Sequence, residues 1–270
     1  MIPYFQIPPL RLGALEIHAF GVLTALGIYL GARLAARAAL RYHPGSDRPL
    51  VEAAPWMVLA GLVMGHLVHL FGYHPEILRR EGLGAIFRIW DGLSSMGGVL
   101  GGLIALVVFF RIKGWQIRPH LDAIALGAAP GWMVARLGCF TAHDHPGVLT
   151  DFPLAVAFPD GPRHDLGLYD AILLGTLSLV LYALARKKRP EGFLMGVLAV
   201  GYSVPRFFLD FLRARDLPFV DGRIFGLTPA QYLTVVWTGL GIWLLGKALS
   251  AEKAAAGEEA QRSPEALPNP

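Results

Sequence analysis

Two arginines sit inside apolar stretches of this chain, in matching surroundings: Gly131-Trp132-x-x-x-Arg136 and Gly201-Tyr202-x-x-x-Arg206. An arginine within a bilayer span costs roughly 2.5–3.5 kcal/mol even on the gentler insertion scales, so it needs an internal partner. Asp210, one turn beyond Arg206, is a ready one, and a snorkelling side chain or a plain internal ion pair is the bland alternative. Two guanidiniums facing one cavity suit a phosphate, which their planar forks clamp bidentately. Pro205 removes a helix hydrogen bond and frees the Gly201 carbonyl, so a kink there would swing Arg206 toward such a cavity.

Shortly after Arg136 the chain reads His143-Asp144-His145-Pro146-Gly147. Two imidazoles flanking a carboxylate suit a general base with an orienting partner. They also suit a metal, with His66 and His69 as further ligands. The spacing is a weak metal signal, and no cysteine pair or HExxH supports it, so acid–base use is favoured and no metal is expected. Cys139 is the single cysteine. It permits no disulfide framework and reads as a small apolar filler. The run Gly97-Gly98-x-x-Gly101-Gly102 reads as helix packing that also lets lipid or backbone come close. No Lys-Ser/Thr follows it, so it is not a phosphate loop.

The elements that must position these groups follow from composition. Of 270 residues 54% are hydrophobic and 16% charged, against about 25% charged in soluble domains. Mean hydropathy is +0.48. Apolar runs of membrane-spanning length fall at about 16–40, 51–71, 93–111, 119–141, 167–186, 193–213 and 228–249. They are continuous rather than alternating, which excludes a β-barrel, and their number excludes a soluble enzyme, a coiled coil or a disordered chain. The expectation is an all-α polytopic integral membrane protein of about seven transmembrane helices. Residues 1–250 form one membrane-embedded domain with an interfacial arm over 1–15, and 251–270 form a disordered cytoplasmic tail. The start of the chain has no basic n-region and carries Pro3, Pro8 and Pro9, unlike a signal peptide. A formal charge of +4 is ordinary for basic cytoplasmic loops and does not point to nucleic acid.

Lysine and arginine set the orientation. Arg41, Arg48, Arg111, Lys113, Arg118 and the Arg186–Arg189 run share one set of loops, which are shorter and richer in cations than the other set. The N-terminus is therefore expected outside and the C-terminus in the cytoplasm. The unusual polar residues then gather at the outer ends of the spans: His18 and Phe20, His66 and His69, Ser94 to Met96, Arg136, His164 with Tyr169 and Asp170, Arg206 with Asp210, and Thr228 with Gln231. One polar cavity toward the outer leaflet is the natural reading. With no polar path to the inner side, a transporter is disfavoured.

Taken in order, these pieces resemble the prolipoprotein diacylglyceryl transferases of bacterial inner membranes. The resemblance is carried by Ile17-His-Ala-Phe20-Gly21; Phe87-Arg-Ile-Trp90-Asp91-Gly92 with Met96-Gly97-Gly98; Ala135-Arg136-Leu-Gly138 through Gly147; Arg163-His164 with Leu168-Tyr169-Asp170; Gly201-Tyr202-x-x-x-Arg206-x-x-x-Asp210-Phe-x-Arg213; and the polar start of the last span around Gln231. It covers roughly residues 10–248. The resemblance implies transfer of the diacylglyceryl group of phosphatidylglycerol, drawn from the outer leaflet, to a lipobox cysteine thiol in a preprolipoprotein signal peptide. Glycerol phosphate is released, and no metal or nucleotide cofactor is used. It places the essential arginines on Arg136 and Arg206 and further functional positions on Tyr202 and Asp210. His143, Asp144 and His145 are expected to handle protons. Phe20, Met96, Gly97, Gly98, Gly147, His164, Tyr169, Tyr202 and Asp210 are expected to contact substrate.

The chain departs from the family pattern at several positions. Met96 stands for a histidine, Phe20 for a tyrosine, Cys139 and Ala142 for asparagines, and His66 for an arginine. The family's acidic loop residue maps to Asp144. The phosphate clamp is thus intact, while proton handling is altered. Met96 motivates an alternative: the same fold as a lipid-binding or transfer protein with another acceptor or with no catalysis.

Overall fold

The computed structural model describes residues 1–13, 15–42, 47–89, 92–217 and 222–262. Trp90 and Asp91 lie outside the described residues, as do the side chains of Ser95 and Met96. Among the described residues eight α-helices are formed: α1 Ala19–Tyr42, α2 Asp47–Val68, α3 Pro75–Glu81, α4 Ser95–Ile112, α5 Leu121–Ala142, α6 Leu166–Leu184, α7 Phe193–Leu209 and α8 Pro229–Arg262. A π-helical turn, His69–Tyr73, prolongs α2.

The fold is that of an all-α polytopic membrane protein. Among the described residues, six helices are long and apolar enough to cross a membrane, and α4 contributes a shorter apolar helix at Gly97–Ile112. Their outward faces carry large apolar side chains such as Leu179 (75% exposed) and Val236 (65% exposed). The charged groups Arg136, Asp170, Arg206 and Asp210 are buried instead. That inversion suits hydrocarbon, which solvates apolar side chains and leaves ionised groups to pair within the bundle.

Helix α1 packs along α5, α2 along α4, α7 along α8, and α6 against α5 and α7. The α1–α5 crossing is very close: a Cβ on Gly27 would lie 2.4 Å from the Gly131 carbonyl oxygen. Small residues allow such backbone approach where no hydrophobic effect drives helices together. The α2–α4 crossing uses Gly97, whose Cβ would lie 2.5 Å from the Met64 carbonyl oxygen. Away from the polar end, Asp122 on α5 accepts from the backbone N–H groups of Gly192 and Met195, both at 3.0 Å. It caps α7 from a neighbouring helix and so fixes α5 and α7 relative to each other. The start of α8 is a capping box that Thr228-Pro229-x-Gln231 spells out. Thr228 N–H donates to Gln231 Oε1 at 2.9 Å and Gln231 N–H to Thr228 Oγ1 at 3.2 Å.

The polar end carries a small sheet that apolar patterning does not announce. Strands β1 Ile2–Pro3, β4 Pro146–Leu149, β5 Val156–Phe158 and β6 Gly161–Asp165 assemble in the order β1-β5-β6-β4. Strand β1 runs parallel to β5 with Ile2 opposite Val156, and the other pairs are antiparallel. Strands β2 Leu10–Leu12 and β3 Leu15–Ile17 form a separate hairpin. The expected arm over 1–15 is thereby stitched to the loop between α5 and α6. At the other terminus α8 continues to Arg262. The segment Ala251-Glu-Lys-Ala-Ala-Ala within it is rich in strong helix formers.

Candidate active site

Three helices bring their buried charges together. Arg136 lies in the last two turns of α5, Arg206 in the last turn of α7, and Asp170 in the first turns of α6. Their side chains are buried, and the Nε atoms of both arginines lie 3.3 Å from Asp170 Oδ2. Arg206 Nη1 also lies 2.7 Å from Asp210 Oδ1, which accepts from Arg213 Nε at 2.8 Å. Asp210 Oδ2 takes the Thr228 hydroxyl. Arg136 Nη1 reaches Cys139 Sγ at 3.6 Å. The ion pairs are imperfectly aligned: Arg136 Nε, Arg206 Nη1 and Asp170 Oδ1 are buried without an aligned hydrogen bond, although the first two lie within ion-pair distance of Asp170 and Asp210.

The matching surroundings of the two arginines have a structural basis. Trp132 and Tyr202, each one turn before its arginine, pack against each other with ring centroids 4.5 Å apart and planes tilted by 43°. The Arg136 guanidinium lies 5.9 Å from the Trp132 ring. The aromatic pair therefore forms a wall that directs both guanidiniums into one cavity, whose lining includes Arg136, His145, Tyr202, Arg206 and Arg213. Phosphate chemistry fits such a cavity: fixed guanidiniums in a low dielectric.

The histidines separate sharply. His145 lines the arginine cavity, and its Nδ1–H is held by Asp144 Oδ1. That arrangement orients the ring and leaves Nε2 as the nitrogen for proton transfer. His143, by contrast, is buried in a left-handed cap of α5 with φ of 50°. Its Nδ1 bonds Asp165 Oδ2 at 2.9 Å and its Nε2 the Phe5 carbonyl at 3.0 Å. Tyr4 stacks on it at 4.8 Å. Both nitrogens serve to join the N-terminal arm to the N-cap of α6, and His143 does not line the arginine cavity. Burial pushes the Asp165 carboxyl up, against the opposing pull of the His143 bond. His164 hydrogen-bonds the Tyr169 hydroxyl at 2.8 Å beside Phe152. Desolvation holds it below the usual imidazole range. Neither His164 nor Tyr169 lines the arginine cavity.

Other expected site residues are placed as follows. Asp144 and Phe20 line a second, open cavity with His18 and Thr141, so Asp144 stands between the two cavities. Gly97 and Gly98 lie at the α2–α4 crossing rather than on the arginine cavity, because glycine there admits the α2 backbone. Met96 begins that helix, and its side chain lies outside the described residues. Gly147 is a close approach: a Cβ would lie 2.7 Å from both His164 Cβ and the Leu212 carbonyl oxygen. His66 is buried between the carbonyl oxygens of Gly92 and Ala85, each at 3.0 Å, and fastens the chain before α4.

Cys139, Asp144 and His145 bring potential metal ligands within 4.8 Å of one another. Their chemistry suits a soft cation, but the Arg136 guanidinium on the sulfur opposes a second positive charge. Three residues of weight were named in the polar gathering or the family motifs but given no site role. Asp170 and Arg213 complete the charge cluster. Arg163 bonds Asp216 through both terminal nitrogens, at 3.0 and 2.6 Å, and donates to the Gly147 carbonyl at 3.1 Å. A buried charge in an apolar span was the available signal for Asp170. Nothing local marks Arg163, whose partner lies far along the chain.

A family model described as prolipoprotein diacylglyceryl transferase matches residues 9–246. The chain belongs to that family. It is 32% identical over 257 residues to the phosphatidylglycerol–prolipoprotein diacylglyceryl transferase of Nitratidesulfovibrio vulgaris, covering 91% of this chain and 95% of that protein. It is 33% identical over 256 residues to the enzyme of the same name from Brucella canis, covering 88% and 90%. Members of the family are transferases, and the buried arginine cluster is where this diacylglyceryl transferase concentrates its charge.

Proposed function

We infer that this chain transfers the diacylglyceryl group of phosphatidylglycerol to the thiol of a lipobox cysteine in a preprolipoprotein signal peptide, releasing glycerol phosphate. The observation that carries the reading is the pair of guanidiniums on α5 and α7 that line one cavity, drawn together on a single oxygen of Asp170. Arg136 and Arg206 hold the lipid phosphate. His145 Nε2, oriented by Asp144, takes the thiol proton. The sulfur attacks the lipid glycerol carbon that bears the phosphate. A C–S bond forms, the C–O bond breaks, and its electron pair passes to the phosphate oxygen, where the guanidiniums stabilise the charge. The proton on His145 then leaves to the phosphate or to water. Of the three loop residues expected to handle protons, this reading gives the role to His145 with Asp144 and assigns His143 to the fold.

This reading takes seven spans, with α4 as the short third one beside the six longer apolar helices. The N-terminus faces outward and the C-terminus the cytoplasm of a bacterial inner membrane. Support comes from the Arg186–Arg189 run between α6 and α7, at the end opposite the arginine cavity. The cavity then opens toward the outer leaflet.

The test is a transfer assay with purified protein, phosphatidylglycerol in detergent and a lipobox peptide with one cysteine, read by mass spectrometry. A peptide adduct with released glycerol phosphate, both lost on Arg136→Ala, is the expected result. Glycerol phosphate without adduct would mean another acceptor. Neither product from folded, lipid-binding protein would mean no catalysis.

A further inference from the structure

Beside the arginine cavity lies a cluster that the proposed reaction uses only in part. The left-handed cap at His143 turns the chain back on the last turn of α5. Asp144 and His145 thereby come beside Cys139, and the three offer one ligand atom each, all within 4.8 Å of one another. Cys139 is a free thiol, 6% exposed, with Arg136 Nη1 at 3.6 Å from its Sγ. Asp144 opens onto the cavity that Phe20 and Thr141 line, and His145 onto the arginine cavity. An ion therefore has a path to the cluster from either side. The other histidines that the sequence offers as ligands are spent elsewhere: His143 on Asp165 and the Phe5 carbonyl, His66 on the carbonyls of Gly92 and Ala85.

The ligand set decides the kind of ion. A thiolate, an imidazole and a carboxylate form the mixed sulfur, nitrogen and oxygen set that zinc takes, and three protein ligands leave a fourth position open. Ligand atoms around tetrahedral zinc lie roughly 3–4 Å apart, and the exposed Asp144 side chain can turn to close the difference. A hard ion such as magnesium asks for oxygen ligands and finds one carboxylate here. The Arg136 guanidinium weighs against a bare dication. It does not weigh against the ion with its ligands: the thiol proton leaves to water, and the two charges of the cation meet those of the Cys139 thiolate and the Asp144 carboxylate. Arg136 keeps Asp170 at 3.3 Å as its own counter-ion.

We propose that Cys139, Asp144 and His145 form a site for a thiophilic divalent cation of the zinc class, and that its binding inhibits transfer by withdrawing His145 from proton exchange. The site stands on the cluster alone, whereas the inhibition rests on the assignment of His145 as the base. Ligation takes the imidazole lone pair and turns Asp144 from orienting that ring to holding the ion. A ring that holds a cation does not accept the thiol proton. Cys139 supplies the soft ligand that makes the His145–Asp144 pair selective for such an ion.

The experiment titrates tag-free, full-length protein in neutral detergent with cobalt(II) as a spectroscopic probe, then with zinc. Cobalt should raise a sulfur-to-metal charge-transfer band that saturates at equal molar amounts. Zinc should remove the band, and magnesium should not. Cys139→Ala should lose the band and bind zinc about 10–100-fold more weakly, with zinc-free transfer unchanged. Zinc should lower transfer to a lipobox peptide by about tenfold or more in wild type. In Cys139→Ala the same zinc should leave transfer near its zinc-free rate, which separates this site from capture of zinc by the peptide thiol. If the alanine variant does not fold, Cys139→Ser keeps the volume, removes the sulfur and repeats the test. Absence of the band, or unchanged zinc affinity in the variant, overturns the site. Equal inhibition of wild type and variant overturns the inhibition. A rise in transfer overturns it too, and would mean that the open position delivers the acceptor thiol as a thiolate. Zinc bound through Cys139 with transfer unaffected keeps the site and removes His145 as the base. If the protein transfers nothing to the peptide, the cobalt titration decides the site alone.

Discussion

Arg136 and Arg206 are held at the same distance, 3.3 Å, from a single oxygen of Asp170. Two like charges on different helices are thereby fixed side by side, which costs energy unless an anion lies between them. The carboxylate supplies part of that anion, and the unaligned donors on both guanidiniums leave room for a phosphate. Asp122 at one end and the tilted Trp132–Tyr202 contact near the other keep α5 and α7 from sliding apart.

Replacing either arginine is the direct probe of this pairing. Arg136→Lys and Arg206→Lys keep the charge but lose the planar fork, so transfer should fall by about 10–100-fold. Arg136→Ala and Arg206→Ala should lower it by about 10³-fold or more. The alanine variants also leave Asp170 buried with one partner fewer, and a lower thermal midpoint should accompany them. Lipid-adduct yields measured beside unfolding curves separate the two effects. Near-normal transfer in either alanine variant would remove the clamp.

The two neighbouring histidines should behave oppositely. His145→Ala removes the only imidazole on the arginine cavity among the described residues, and kcat should drop by about 10²–10⁴-fold. His143→Ala breaks the bonds to Asp165 and to the Phe5 carbonyl and should cost about 1–3 kcal/mol of stability, with kcat of the folded fraction little changed. Reversal of this pattern, with His143 controlling kcat, would move the base and require the N-terminal arm to leave its place.

Much of this was legible in the sequence, for identifiable reasons. Long apolar runs have one stable form in a bilayer, so the helices follow directly. Arg136, Arg206 and Asp210 announce themselves because a charge inside such a run is costly. Thr228-x-x-Gln231 is legible as a cap. What the chain hides are relationships between distant segments. The strands are two to five residues long, too short for any alternation to register. His143 and His145 look equivalent in a line of residues, and only the left-handed turn at His143 sends one ring into the sheet and the other to the cavity.

Arg163 ties the segment after α7 to the sheet, and acid should release it. Its hydrogen bonds hold the Asp216 and Asp160 carboxyls below the usual carboxylate range. A carboxyl depressed in the fold stabilises it above its unfolded value of about 3.9, and that contribution is lost as pH falls through the folded value. The tether should therefore be complete at neutral pH and fail only below about pH 4. Hydrogen exchange over 210–217 should quicken in that acid window in wild type. In Asp216→Asn it should be fast already at neutral pH and depend less on acid. Identical exchange in the two proteins would show that Arg163 does not restrain the segment.

Asp122 offers a control that shares the burial and the charge but not the chemistry. It accepts two backbone N–H groups at the start of α7, and losing a helix cap of this kind costs about 1–2 kcal/mol. Fourteen residues of α5 separate it from Arg136, about 21 Å along the helix. Asp122→Ala should lower the thermal midpoint without changing kcat in the folded fraction. Asp122→Asn keeps one acceptor and should fall between wild type and alanine. If Asp122→Ala instead lowers kcat at full occupancy with lipid, the position of α7 is set from its far end, and Arg206 depends on that cap for its place beside Arg136.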